Sequence, residues 1–177
     1  NLISLLSIRV NGQIAFGPHQ IISQLTDGPT GLSSADLDSD GDMDVIVASH
    51  HGHKVHWYEN IGNGNFAGPN QIASNLPYAN VTFCADLDGD NDIDVVVTSY
   101  LSDLIQWHRN DGNGNFSAGI TIGTGIEEPL TIFCEDLDGD GDIDVITAAA
   151  DDGTVLWYEN TGNGVFSNQN IITSDLH

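Results

Sequence analysis

Basic side chains are nearly absent from this chain of 177 residues, which carries Arg9, Lys54 and Arg109 against 26 acidic residues. The formal net charge at pH 7 is −23 when the histidines are neutral. Nucleic acids and anionic membrane surfaces bind proteins through positive charge. The composition therefore argues against both as partners.

Long apolar segments are also missing. No run approaches the roughly 18 apolar residues that a transmembrane helix requires, so we expect no membrane insertion. The segment LISLLSI at residues 2–8 is short and lacks a basic flank, so we do not interpret it as a signal peptide.

Cysteine is scarce, with Cys84 and Cys134 placed fifty residues apart. Ser34 occupies the corresponding position fifty residues earlier. Equivalent positions of neighbouring repeats normally lie farther apart than the roughly 7 Å between Cα atoms that a disulfide allows. We therefore predict small buried side chains, with a disulfide or a reactive thiol as the alternative.

Aspartate, by contrast, is concentrated in three nearly identical segments. DLDSDGDMDV begins at Asp36, DLDGDNDIDV at Asp86 and DLDGDGDIDV at Asp136, and each segment holds five aspartates. Two carboxylates about 4 Å apart repel by about 1 kcal/mol in water and about 4 kcal/mol at an effective dielectric constant of 20. Such loops favour a bound cation, and their hard oxygen donors favour calcium. A solvated acidic turn without metal is the alternative.

The spacing D-x-D-x-D-G-x-x-D defines the predicted ligands. Side chains at positions 1, 3, 5 and 9 are expected to bind the ion, and position 7 is expected to offer its backbone carbonyl. We call residues 36–44, 86–94 and 136–144 loops 1, 2 and 3. We predict three calcium ions, one in each loop. The predicted metal residues are Asp36, Asp38, Asp40, Asp42, Asp44, Asp86, Asp88, Asp90, Asp92, Asp94, Asp136, Asp138, Asp140, Asp142 and Asp144.

These loops differ from the calcium loop of an EF-hand. An EF-hand carries a bidentate glutamate at position 12, where this chain has Val47, Val97 and Thr147. Position 6 is Gly41 in loop 1 and Asn91 in loop 2, and both residue types accept the positive φ that a tight loop needs. The surrounding pattern also predicts strands and not the two helices of an EF-hand.

The fifty-residue period extends over nearly the whole chain. Phe16, Phe66, Phe116 and Phe166 are in register, as are Trp57, Trp107 and Trp157. Within one repeat, short β-branched and alternating segments are separated by glycine and asparagine turns, and no stretch of ten residues has helical periodicity. Four short antiparallel strands in fifty residues are typical of one β-propeller blade.

With these landmarks the chain resembles the FG-GAP/VCBS repeat family, the calcium-loop blades of integrin α-subunit propellers and of many secreted bacterial proteins. The resemblance covers about residues 10–176. It implies an all-β fold in which the acidic loop joins the innermost strand of each blade to the second strand. Asn91, which stands where the family pattern has glycine, is the departure.

The repeat predicts about three and a half blades. Complete units cover about 28–76, 78–126 and 128–177, and residues 1–27 are predicted to form the outer half of a preceding blade. Because propellers have four or more blades, we expect this chain to be part of a larger propeller. Further blades of the same parent chain are then the expected partners, with self-association through open sheet edges as the alternative.

The tryptophans, the histidines and possible catalytic residues are the other candidates for functional sites. The tryptophans are predicted to pack between blades, with sugar stacking as the alternative. His50, His51, His53 and His56 occur in one repeat only and are predicted to lie in a solvated hairpin, with a transition-metal site as the alternative. No nucleophile elbow, phosphate-binding loop or cysteine with a nearby base is present, so no enzyme activity is predicted.

The function expected from these features is a calcium-stabilised β-propeller scaffold that mediates protein interaction or adhesion. A secreted or cell-surface location is expected, because extracellular calcium is millimolar and fills weak sites. A calcium-dependent lectin is the alternative, and a propeller-type lyase or other enzyme is the second alternative.

Overall fold

The computed structural model describes residues 19–151 and 153–174, which form three antiparallel sheets of four strands each. Sheet 1 contains β1–β4, sheet 2 contains β5–β8 and sheet 3 contains β9–β12, each in sequential order. In chain order the strands are β1 (Pro29–Ala35), β2 (Asp44–Ser49), β3 (Lys54–Asn60), β4 (Phe66–Ser74), β5 (Ala79–Ala85), β6 (Asp94–Ser99), β7 (Leu104–His108), β8 (Ile120–Thr124), β9 (Phe133–Glu135), β10 (Asp144–Ala149), β11 (Thr154–Tyr158) and β12 (Asn170–Thr173).

The second strand of each sheet is the most apolar and the most deeply buried. Its sequence is DVIVAS in β2, DVVVTS in β6 and DVITAA in β10. Every residue of β6 is buried, because this strand has a neighbouring strand on each side and a neighbouring sheet on each face. β-branched residues suit such a position, since their branched side chains pack well on a pleated surface.

The sheets stack face to face around two apolar cores. One core lies between sheets 1 and 2, and the other lies between sheets 2 and 3. The backbones of the first two sheets approach closely, and a Cβ atom added at Gly31 would lie 2.3 Å from the carbonyl oxygen of Asn80. The hydroxyl groups of Ser33 and Thr82 are 2.8 Å apart across the same interface.

The tryptophans contact the neighbouring sheet, as the sequence predicts. Trp57 and Trp107 are buried. A Cβ atom added at Gly114 of sheet 2 would lie 2.4 Å from Cζ2 of Trp57, and one at Gly164 of sheet 3 would lie 2.5 Å from Cζ2 of Trp107. Each indole ring therefore packs against the glycine turn of the next sheet. This contact confirms the predicted packing role for Trp57 and Trp107.

Both cysteines are free thiols. Cys84 donates a weak hydrogen bond to Oγ of Ser33 at 3.4 Å, and burial raises the pKa of its thiol to about 11. Burial also raises the pKa of the Cys134 thiol. These thiols are protonated near neutral pH, which agrees with the predicted role as small packed side chains.

The all-β architecture and the four-stranded antiparallel units are confirmed, and the place of these units in a larger propeller stays a prediction. Each sheet lies within one of the three predicted repeat units. The predicted half-blade at 1–27 falls largely outside the described residues, and residues 19–27 contain no strand. Closure of the blades into a ring is not shown. Within residues 19–151 and 153–174, no helix is long and apolar enough to cross a membrane.

Candidate metal centre

Each acidic loop joins the first strand of a sheet to the second. In sheet 1, β1 ends at Ala35 and β2 begins at Asp44, so the whole of loop 1 lies at one end of the sheet. The register places Ala35 opposite Asp44. The loop therefore closes directly onto a strand pair, which fixes both of its ends.

The last aspartate of each loop is fully buried and holds the loop closed. In loop 1, Oδ2 of Asp44 accepts a hydrogen bond from the backbone N–H of Leu37 at 3.0 Å, and Oδ1 accepts one from the N–H of Asn60 at 2.8 Å. The same two bonds recur at Asp94 and Asp144. Position 9 thus joins the loop to the last residue of the third strand in sheet 1, and to the residue two positions beyond that strand in sheets 2 and 3.

Burial makes the carboxylate at position 9 unfavourable to ionise when no cation is nearby. Burial raises the pKa of Asp94 to about 7, although its two backbone hydrogen bonds act in the opposite direction. The negative charges of Asp88 and Asp90 raise this pKa further. Burial also raises the pKa of Asp44 in loop 1. A bound cation would favour the ionised form at both positions.

The first aspartate of each loop curls the backbone. Oδ1 of Asp36 accepts from the N–H of Asp40 at 3.1 Å, and Oδ2 accepts from the N–H of Gly41 at 3.0 Å. Loops 2 and 3 repeat the bond to position 6. As the sequence predicts, position 6 has positive φ, with values of 94° at Gly41 and 73° at Asn91.

The curl brings carboxylate oxygens together. In each loop, three aspartates offer one oxygen apiece with all three atoms within 4.8 Å of one another. The groups are Asp36, Asp38 and Asp40 in loop 1, Asp86, Asp88 and Asp90 in loop 2, and Asp136, Asp138 and Asp144 in loop 3. An all-oxygen donor set of this kind fits a hard divalent cation such as calcium.

One oxygen in loop 2 is especially informative. Oδ1 of Asp88 is buried and has no hydrogen-bond partner among the described residues. Burial, followed by the charge of Asp90, raises the pKa of this carboxyl. A buried carboxylate oxygen without a donor is unfavourable, and a cation in the loop would satisfy it.

The position-7 aspartates lie apart from these groups. Their side chains are directed towards the glycine turn that precedes the fourth strand, and a Cβ atom added at Gly112 would lie 2.4 Å from Oδ1 of Asp92. Corresponding distances are 3.7 Å for Asp42 and 3.4 Å for Asp142, measured from Gly62 and Gly162. Their expected contribution through the backbone carbonyl stays a prediction.

A buried asparagine clamps each of the first two loops to the next sheet. The side-chain Nδ2 of Asn110, in sheet 2, donates to the carbonyl oxygen of Leu37 in loop 1 at 2.8 Å and to that of Ile93 at 3.0 Å. The backbone N–H of Asn110 donates to Asp94 at 2.8 Å, and that of Gly114 donates to the Leu37 oxygen at 3.0 Å. Loop 1 is therefore fixed from two sheets.

Asn160 makes the equivalent bonds one repeat later. Its Nδ2 donates to the Leu87 carbonyl of loop 2 at 2.8 Å and to that of Ile143 at 3.1 Å. Leu37 and Leu87 are 0% and 2% exposed, whereas Leu137 of loop 3 is 45% exposed. These asparagines are not among the residues predicted from the sequence, although Asn60, Asn110 and Asn160 occupy one register position in WYEN, WHRN and WYEN.

Loop 2 also contains a cationic neighbour that the sequence analysis missed. The guanidinium group of Arg109 contacts Asp88 through Nε at 2.6 Å and Asp90 through Nη2 at 2.7 Å. The hydrogen bond from Arg109 lowers the pKa of Asp90. The signal available in the sequence was the replacement of the glutamate found at Glu59 and Glu159 by arginine.

The histidines do not assemble into a metal site in the described part of the chain, where none belongs to a group of three potential ligands. His50 packs edge-on against Tyr78 with ring centroids 4.3 Å apart. Nδ1 of His53 accepts a hydrogen bond from the N–H of Tyr78 at 3.0 Å. His56, predicted to lie in the hairpin, lies within β3 opposite Val47, because the hairpin ends at His53.

Comparison with known families agrees with this geometry. The model of the FG-GAP-like repeat matches residues 36–97, 86–147 and 136–176, so the matches begin at the first aspartate of each acidic loop. The chain belongs to the FG-GAP-like repeat family. A comparison with curated protein sequences finds no significant match.

A solved structure shows the same type of fold. It is that of an Agrocybe aegerita lectin described as recognising non-reducing terminal N-acetylglucosamine, and it is 24% identical with a TM-score of 0.59. The match covers 81% of this chain and 38% of the lectin chain. This chain therefore spans well under half of the length of the lectin chain. At this identity the likeness supports a β-propeller-like arrangement of blades.

Proposed function

We propose that this chain is a calcium-stabilised β-propeller scaffold that binds a macromolecular partner without catalysing a reaction. The observation that supports the calcium assignment is that each of the three loops brings three carboxylate oxygens within 4.8 Å of one another, from positions 1, 3 and 5 in loops 1 and 2 and from positions 1, 3 and 9 in loop 3. The hydrogen bonds around Asp36, Asp86 and Asp136 supply the matching loop shape.

Calcium would act here as a structural ion. In each loop the position-9 aspartate connects the carboxylates to the end of the third strand, and in loops 1 and 2 an asparagine connects them to the next sheet. Ion binding in such a loop contributes to the free energy of folding, because the unfolded chain has no preformed site. A secreted or cell-surface location follows from the proposal, since weak calcium sites fill at millimolar calcium.

Calcium stoichiometry tests this assignment. At millimolar calcium, native mass spectrometry of the wild-type protein should show three bound ions. Asp38→Asn should lose one ion, or bind it at least about tenfold more weakly, because it removes one of the charged ligands of loop 1. Asp27→Asn removes the same charge from an exposed position outside the loops and should retain all three ions. Three ions bound to the Asp38→Asn variant with the same affinities as in the Asp27→Asn variant would contradict the assignment.

A lectin is the second candidate, favoured by the likeness to the solved fungal lectin and by a cleft between sheets 1 and 2. The cleft has a volume of about 360 Å³ and is lined by polar groups that include Gln71, Gln106, His108 and Ser117. His108 is held in place by hydrogen bonds to Gln106 at 2.9 Å and to the Ser117 carbonyl at 3.0 Å. Polar groups at fixed positions in a concave site are suited to sugar hydroxyls.

A glycan array in calcium distinguishes the two candidates. A lectin should bind a defined class of glycans, including those that end in N-acetylglucosamine, and Gln106→Ala should weaken that binding. The matched substitution Gln71→Ala, on the other sheet at the same cleft, shows whether both walls contribute. If no glycan binds the calcium-loaded protein, the lectin proposal fails and the protein-binding scaffold stands.

A further inference from the structure

The three acidic loops are not equivalent in charge. Both ion pairs found in residues 19–151 and 153–174 involve Arg109, and both are made to loop 2. Its Nε and Nη2 atoms lie 2.6 Å from Asp88 and 2.7 Å from Asp90. A single guanidinium group thus bridges two of the three carboxylates that form the ion-binding group of this loop.

The repeat shows what Arg109 replaces. It follows the end of β7 directly, and the residues fifty positions away on either side are Glu59 and Glu159. Loop 2 therefore has a positive side chain at a register position where loops 1 and 3 have a negative one. This single substitution changes the formal charge beside the loop by two units relative to its neighbours.

We propose that Arg109 is a built-in counter-ion of loop 2 and competes with calcium for Asp88 and Asp90. The inference rests on the proposed calcium function of the loops. Charge-assisted hydrogen bonds to the carboxylates are lost when the arginine leaves, and a divalent ion next to a retained guanidinium group is repelled. Loop 2 is therefore the weakest calcium site of the three and keeps its shape best when calcium is removed.

The different exposures of Arg109 and Asp88 indicate that the arginine competes with calcium for loop 2 and does not block the loop permanently. The Arg109 side chain is 53% exposed and can move into solvent, whereas the Asp88 side chain is only 8% exposed and stays in the loop. Oδ1 of Asp88 is buried without a partner even while Oδ2 is paired with Arg109. A donor oxygen for a cation thus persists beside the arginine, so calcium at sufficient concentration displaces the guanidinium group.

Calcium titration by isothermal calorimetry and native mass spectrometry tests this proposal. The wild-type protein should bind two ions tightly and a third at least about tenfold more weakly, which corresponds to about 1.4 kcal/mol or more. Arg109→Glu restores the residue type of the other two repeats and should bring the third affinity to within about threefold of the others. Arg109→Gln, which removes the charge alone, should give an intermediate affinity.

Two further variants assign the weak site and control for net charge. Asp88→Asn in the wild-type background should abolish the weak event and leave both tight events. Lys54→Glu makes the same charge change as Arg109→Glu but at a different place. Lys54 is the first residue of β3, opposite Ser49, whereas Arg109 follows the last residue of β7. Lys54→Glu should therefore leave the weak binding event unchanged. An equal response to Lys54→Glu and Arg109→Glu would overturn a local role for Arg109.

The outcomes separate this inference from the proposed function. No calcium binding at any loop would overturn both. Three tight sites of equal affinity in the wild-type protein, unchanged by Arg109→Glu, would overturn the counter-ion role and leave the calcium function standing. If Arg109→Glu does not fold, the Arg109→Gln variant supplies the same comparison, and equal third-site affinities in it and in the wild type would also refute the counter-ion role.

Discussion

Removal of calcium with EDTA is expected to lower the melting temperature of this protein by about 10–20 °C, and added calcium should restore it. An ion present at about one hundred times its dissociation constant contributes about 2.7 kcal/mol per site, so two tight loops contribute roughly 5 kcal/mol. For a chain of this size, about 1 kcal/mol corresponds to roughly 2–4 °C. Differential scanning calorimetry at fixed ionic strength measures the shift.

Magnesium provides the control for this prediction. Magnesium demands near-ideal octahedral geometry and keeps several waters, so it should restore much less of the lost stability than calcium does. Equal recovery with both ions would indicate general charge screening and not a specific site. A melting curve that chelator leaves unchanged would contradict a stabilising role for calcium in all three loops.

Substitution of Asn110 by alanine is expected to destabilise the protein by about 2–4 kcal/mol. It leaves the Ile93 carbonyl without its side-chain donor, at about 1–3 kcal/mol, and removes one of the two donors of the Leu37 carbonyl, at about 0.5–1.5 kcal/mol, while the Gly114 N–H remains. The affected acceptors are the carbonyls of Leu37 and Ile93. Asn160→Ala should have a similar effect, because its side chain donates to Leu87 and Ile143 in the same way. Urea denaturation measures both.

Asn60→Ala is the matched control for these substitutions. Asn60 occupies the same register position, but its Nδ2 donates to the carbonyl of Met43 within its own sheet, and the residue is half-buried. We expect a cost of about 1 kcal/mol, because the bond to Met43 is exposed and the second side-chain bond, which Oδ1 accepts from the Gly62 N–H at 3.1 Å, is only partly buried. Similar costs for Asn60→Ala and Asn110→Ala would show that the bond between sheets adds nothing to stability.

The acidic loops and the strand pattern could be predicted because their determinants are local. The spacing within each loop spans nine residues, and the loop shape follows from bonds between residues at most seven positions apart, such as Asp36 to Gly41 and Leu37 to Asp44. Strands such as β6 carry their own signal in a run of β-branched residues. Because the pattern recurs every fifty residues, the same loop and strands are predicted three times from separate segments of the sequence.

The features that the sequence analysis missed depend on residues that are distant in the chain. Asn110 and Leu37 lie 73 positions apart, and Asp44 reaches Asn60 across 16 positions. Arg109 is separated from Asp90 by 19 positions. A pattern of residue types does not reveal which of these groups meet, because contact between them requires the sheets to be paired and stacked first.

By itself, the sequence determined that this is an all-β repeat protein of the FG-GAP-like family with three acidic loops whose composition favours a hard cation. Only the tertiary structure decided how the loops differ from one another. Stacking places an asparagine of the next sheet on loops 1 and 2, leaves Leu137 of loop 3 partly exposed, and directs Arg109 into loop 2. Nearly identical local sequences thus have different surroundings, because those surroundings come from neighbouring strands and sheets and not from the loops themselves.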